Sequence, residues 1–141
     1  MNRRCEKGSA IVEFTMLTLI LIVPLFYIMV AVFEVQRASF AVTAASVAGT
    51  RAFIQAPDLD SAERSWRRAI EVTLADHGVE GATFTRTCRP QCFVSGSNVE
   101  ISVVVDQPLP LAPRVLGETL TSITVESAHS EPFGKYRADA N

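Results

Sequence analysis

Two places in this 141-residue chain carry residue types at spacings that could do chemistry: Cys88-Arg-Pro-Gln-Cys92 and a lone Glu13. Two thiols with three residues between them can close a short disulfide, cycle as a redox pair or supply half of a metal site. Zinc needs four ligands, and the two histidines, His77 and His129, stand isolated in the sequence. A redox pair ordinarily encloses two residues on a thioredoxin-like pattern, which is absent here. A structural disulfide is therefore the favoured expectation, given a domain in an oxidising compartment. Its entropic benefit is modest, because so short a loop is closed. His129, near Glu126 and Glu131, is expected to be a surface residue at a strand end. There is no nucleophile elbow, phosphate-binding loop or paired-carboxylate scaffold. The sequence predicts no enzyme activity, no cofactor, no metal and no small-molecule substrate.

Glu13 draws its interest from its surroundings. It is the only acidic or basic residue between Gly8 and Phe33, and Phe14–Phe33 is a run of 20 uncharged residues. At about 1.5 Å per residue that run reaches roughly 30 Å, the thickness of a bilayer's hydrocarbon core. A carboxylate at the edge of such a segment is either hydrated at the interface or held there for a function. Ionisable groups inside membrane segments are costly, which favours the second reading.

Orientation follows from the flanks. Arg3, Arg4 and Lys7 precede the run against one Glu6, whereas Glu34 follows it directly. Short basic flanks stay on the cytoplasmic side, so the N-terminus is expected inside and the C-terminal domain outside a single-pass span of about residues 10–33. The run is too long for a secretory h-region, and no Ala-x-Ala site follows it promptly. The formal net charge is −2, and beyond the leader Lys and Arg form no basic face, so direct nucleic-acid binding is not expected.

The elements that must position these residues can be read from periodicity. Pro24 interrupts the apolar run and predicts a kink. Beyond Phe33 the helix continues: Ala38, Ala41, Ala45, Ala48 and Ala52 recur at three- and four-residue spacings and form a small-residue packing stripe that would let another helix approach closely. Alanine's helix propensity alone offers the plainer explanation. Pro57 sets the end, giving a helix over residues 9–56, about 70 Å long. A second helix is expected from Asp60 to His77. Asp60 and Glu63 resemble a capping box, Trp66, Ala69, Ile70, Thr73 and Leu74 form the apolar stripe, and Gly78 is the stop.

Then the period changes to two. Val99, Ile101, Val103 and Val105 alternate with mostly polar residues, and Ala82–Cys88 and Thr119–Ala128 read as two further strands. Ser95–Asn98 is the expected turn, and Pro108, Pro110 and Pro113 make an irregular link. The fold class expected is α+β: a long N-terminal helix, a short second helix and a small, mostly antiparallel three-stranded sheet. The domain should span residues 57–131, with a flexible tail over 132–141.

The leader adds a motif. Met1-Asn-Arg-Arg-Cys-Glu-Lys-Gly8 is basic and ends in glycine, Ser9-Ala-Ile-Val follows, and Glu13-Phe14 stands at the start of the apolar helix. This resembles the class III prepilin leader, residues 1–8 here, which a membrane-embedded aspartyl peptidase cuts after the glycine. The likeness implies cleavage between Gly8 and Ser9. Glycine's missing Cβ suits an extended backbone entering a membrane-level active site, and the basic leader suits the anionic inner surface. Cys5 lies in the leader and is expected to be inert.

Over about residues 8–55 the resemblance narrows to the TadE-like minor pseudopilins of tight-adherence pili. It rests on Val12-Glu13-Phe14, the apolar run, Phe33-Glu-Val-Gln-Arg37 and the Ala-rich stretch to Thr50-Arg51-Ala52. Members commonly carry a proline closer to the glutamate; Leu19 stands there in this chain and Pro24 comes later. The resemblance implies a subunit of a bacterial cytoplasmic membrane or of a pilus. Its implied partners are a prepilin peptidase, other pilin or pseudopilin subunits and the pilus assembly machinery, with Glu13 setting helix register. The alternative expectation is a membrane-tethered binding or scaffold protein that does not enter a filament.

Overall fold

The computed structural model describes residues 6–109 and 122–134, with side chains described from residue 10. It divides into two compact units, residues 1–33 and 34–141. One helix, α1 (Glu6–Gln55), contributes to both and runs through Pro24.

In the first unit α1 is apolar and unburied. Ile11, Phe14, Leu17, Ile20, Leu21 and Phe26 all expose more than half of their surface. The helix is long and apolar enough to cross a membrane. Its two threonines carry their hydroxyls internally: Thr15 Oγ1 donates to the Ile11 carbonyl and Thr18 Oγ1 to the Phe14 carbonyl, each at 2.8 Å. A lipid-facing helix needs such local satisfaction, since the bilayer core offers no water to its polar groups. Gly8 and Ser9 lie within the helical span, whereas leader residues 1–5, Cys5 among them, lie outside the described residues.

The second unit has the expected α+β architecture. The rest of α1 and the helix α2 (Leu59–Asp76) pack with a sheet of β1 (Thr83–Arg89), β2 (Asn98–Pro108) and β3 (Ser122–Pro132), ordered β1-β2-β3 and antiparallel throughout. The central strand sets the core. Val99, Ile101 and Val103 are fully buried and Val105 nearly so, each on the same face by period two. From α2, Ala62, Trp66, Ile70 and Leu74 meet that face at helical spacing. From α1 come Ala38, Ala41, Val42, Ala45 and Phe53.

At Gly49, α1 lies close against Ile70 of α2. A Cβ built there would stand 2.8 Å from both Cδ1 and Cγ1 of Ile70, so only glycine fits without displacement. Ser65 Oγ bridges the same pair of helices by donating to the Ala52 carbonyl at 3.1 Å. At the far end of α2, where the last turn holds no basic residue, Arg37 of α1 reaches to within 3.5 Å of the Cβ position of Gly78. The same guanidinium is paired with Glu34 at 2.7 Å, and the last carbonyls of α2 are taken up by the backbone, Leu74 accepting from Val79 and Ala75 from Gly78, both at 2.9 Å.

Several boundaries differ from the sequence reading. The α2 cap is Asp58, two residues before Asp60, because its extended backbone (φ −144°, ψ 167°) ends the link from α1 and turns its carboxylate onto the Ser61 amide. Glu63 is accordingly not a capping-box partner; it faces β1 instead. The expected turn at Ser95–Asn98 is present around Ser95 and Gly96, where the Ser97 N–H donates to the Val94 carbonyl at 3.0 Å, but it starts earlier and ends before Asn98. Phe93 and Gly96 both adopt left-handed backbone (φ 62° and 81°), and Asn98 already belongs to the strand. β3 continues past Ala128 to Pro132, and Phe133 is 97% buried rather than part of a frayed tail. Its N–H donates to the Ser97 carbonyl at 2.8 Å, and its ring lies 4.9 Å from that of Phe93. The expected positions Thr119–Thr121, Pro110, Pro113 and the tail from residue 135 fall outside the described residues.

Candidate functional site

Glu13 lies on α1 among exposed apolar neighbours, and among the described residues it enters no ion pair. Gly8 lies on the same helix, five positions before Glu13. Gly8 falls in the first turn of α1, whose leading amides have no intrahelical partner.

The alanine stripe farther along α1 is taken up within the domain. Ala38, Ala41 and Ala45 are fully buried in its own core, while Ala48 and Ala52 are half-buried. Flanking them, a polar seam joins α1 to β3. Ser46 Oγ lies 3.4 Å from Ser127 Oγ, Thr50 Oγ1 donates to the His129 carbonyl at 3.3 Å, and Arg51 Nε is 3.6 Å from Glu131 Oε1. His129 is half-buried, with Nε2 2.9 Å from the same Glu131 oxygen. Next to this seam, with Arg51 common to both, Phe40, Val47 and Ala48 line a shallow apolar groove with Thr43 and Thr73, and Phe40 is 72% exposed.

Cys88 and Cys92 are at bonding distance, with Cα atoms 5.2 Å apart and χ3 of 84°. Sequence reasoning isolated this pair but missed the residue that governs its surroundings. Arg86 Nη1 donates to Cys92 Sγ at 3.1 Å and lies 4.0 Å from Cys88 Sγ. The same guanidinium pairs with Glu63 of α2 and sits 4.7 Å over the Phe53 ring. Glu63 in turn accepts from Trp66 Nε1 at 2.9 Å, and the Trp66 ring meets Phe84 edge-on at 5.4 Å. The signal was present in the alternation: Phe84, Arg86 and Cys88 share the inward parity of β1, so a cation was pointed at the core and needed a partner there.

Asp58 has its carboxyl held below the usual value, first by the backbone N–H of Ser61 and then by the Ser61 hydroxyl. No cluster of three or more potential metal ligands occurs among the described residues. No protein-family model, curated protein or solved structure matches this chain.

Proposed function

We propose that this chain is a pilin-like structural or assembly subunit of a tight-adherence pilus, cut after Gly8 and anchored by α1. The observation that carries the reading is Glu13: a single carboxylate, five residues after Gly8, on an exposed stretch of helix that holds no other charge between Gly8 and Glu34. Cleavage frees the amine of Ser9, which titrates near ~8 when unperturbed and is largely charged at neutral pH. That amine stands one turn from Glu13, about 6 Å along the axis. Within one chain the two can pair. In a bundle of such helices, away from water, Glu13 pairs with the amine of a neighbour and so sets the axial register. An unpaired charge there costs several kcal/mol, which rejects other staggers.

The test is Glu13→Ala. Membrane insertion and leader removal should persist, while recovery with other pilins in sheared filaments is lost. Normal recovery of the variant would reduce Glu13 to an interfacial charge and overturn the register argument.

A second reading, a membrane-resident scaffold or binding protein, is favoured by one observation. Ala38, Ala41 and Ala45 are already covered by the chain's own domain and are not free to pack on a neighbouring helix. Presence only in membranes, never in sheared filaments, would select it.

A further inference from the structure

We propose that the Cys88–Cys92 disulfide is a thiol-exchange site polarised by Arg86, with Cys88 the sulfur attacked and Cys92 the sulfur that leaves. The asymmetry is in the distances: the guanidinium donates to Cys92 Sγ at 3.1 Å and stands 4.0 Å from Cys88 Sγ. Arginine keeps its charge at any working pH. A cation beside a thiol stabilises the thiolate, and the thiol of lower pKa is the better leaving group in exchange.

Arg86 is fixed for this role. Its side chain is 21% exposed, it is ion-paired to Glu63, and its guanidinium carbon sits over Phe53. Glu63 is the opposing charge that faces it, but that carboxylate is shared with Trp66 Nε1 and, at 4.0 Å, with Arg67. Its negative charge is thus divided among three donors, and the Nη1 side of Arg86 remains directed at sulfur. Both cysteines are half-buried, and neither is wholly enclosed in the core. A disulfide enclosed wholly in apolar surroundings would instead raise both thiol pKa values and resist exchange.

The chemistry balances with a dithiol as reductant. Its thiolate bonds to Cys88 Sγ, the Cys88–Cys92 bond breaks, and the electron pair passes to Cys92 Sγ, which departs as a thiolate onto Arg86. The second thiol of the reductant then loses its proton and attacks its own partner sulfur in the mixed disulfide. This releases Cys88, which takes up one proton. The dithiol is oxidised by two electrons, the cysteine pair is reduced by two, and the remaining proton enters solvent. The proposal does not depend on whether the leader is cut or the chain assembled.

The experiment uses the full chain in detergent with Cys5→Ser, so that only this pair reports. Oxidised protein is exposed briefly to glutathione, quenched in acid and digested, and the adduct is located by mass spectrometry. The adduct should fall on Cys88 over Cys92 by roughly tenfold. In the reduced protein, alkylation of Cys92 should reach half its maximal rate at least about one pH unit below that of Cys88. Equal adducts on the two sulfurs, or coincident alkylation profiles, would overturn the proposal without recourse to any variant. Arg86→Gln should equalise both readouts, and a retained preference in a folded Arg86→Gln protein would likewise overturn it.

Discussion

Gly49→Ala tests how the second half of α1 is used. Taken alone, glycine to alanine inside a helix is stabilising by about 1 kcal/mol. Here the new methyl would lie 2.8 Å from both Cδ1 and Cγ1 of Ile70, which is fully buried, with Ile101 Cδ1 3.5 Å away behind it. Ile70 must shift inside a buried core, and overpacking of this kind costs about 1–3 kcal/mol. The net expectation is destabilisation of about 1 kcal/mol. Ile70→Ala alone should cost about 2–5 kcal/mol, yet it removes both of the atoms in conflict. In that background Gly49→Ala should be neutral or stabilising, so the two substitutions couple by about 1–2 kcal/mol in the favourable direction. The assay is denaturant unfolding of the full chain in non-ionic detergent, followed by Trp66, the only tryptophan. If Gly49→Ala stabilises by the same amount in both backgrounds, Gly49 does not face Ile70 and the account of α1–α2 packing fails.

Two further outcomes follow from the domain. Glu63→Ala should cost about 2 kcal/mol, because it leaves the largely buried Arg86 and the Trp66 N–H without their acceptor; Arg67→Ala, on an exposed partner, should stay within about 0.5 kcal/mol by the same unfolding assay. Since Asp58 has its carboxyl lowered in the folded state, its contribution is present above the ordinary carboxylate value of 3.8 and is lost as pH falls through the lowered value; the acid limb of the Trp66-monitored stability curve should therefore flatten in Asp58→Asn, which retains an acceptor but cannot titrate.

Much of this architecture is legible in the chain itself. The β2 alternation of Val99, Ile101, Val103 and Val105 gave its buried face directly, because a half-buried strand has no other way to sort its side chains. The apolar stripe of α2 was equally plain, with Ala62 its one unforeseen buried member. What escaped was set by tertiary contact. Phe133 follows Glu131 and Pro132 and carries no strand pattern, but Phe93 and the Ser97 carbonyl hold it in place. A left-handed Phe93 is no recognisable turn signal, so the turn at Ser95–Gly96 was legible while the one before it at Cys92–Phe93 was not. The alanine stripe could be read as a packing surface, yet periodicity cannot say whether the partner is another chain or the domain's own core.

The central claim is the identity of the N-terminus, and N-terminal sequencing of the native protein from cells with and without the prepilin peptidase tests it most directly. The account predicts a chain beginning at Ser9 when the peptidase is present and an intact leader when it is absent. It also predicts that Gly8→Leu, which fills the space needed for backbone entry, retains the leader even with the peptidase present. An unprocessed leader in both strains, or cleavage of the Gly8→Leu chain at the same bond, would contradict the pilin-like reading at its foundation.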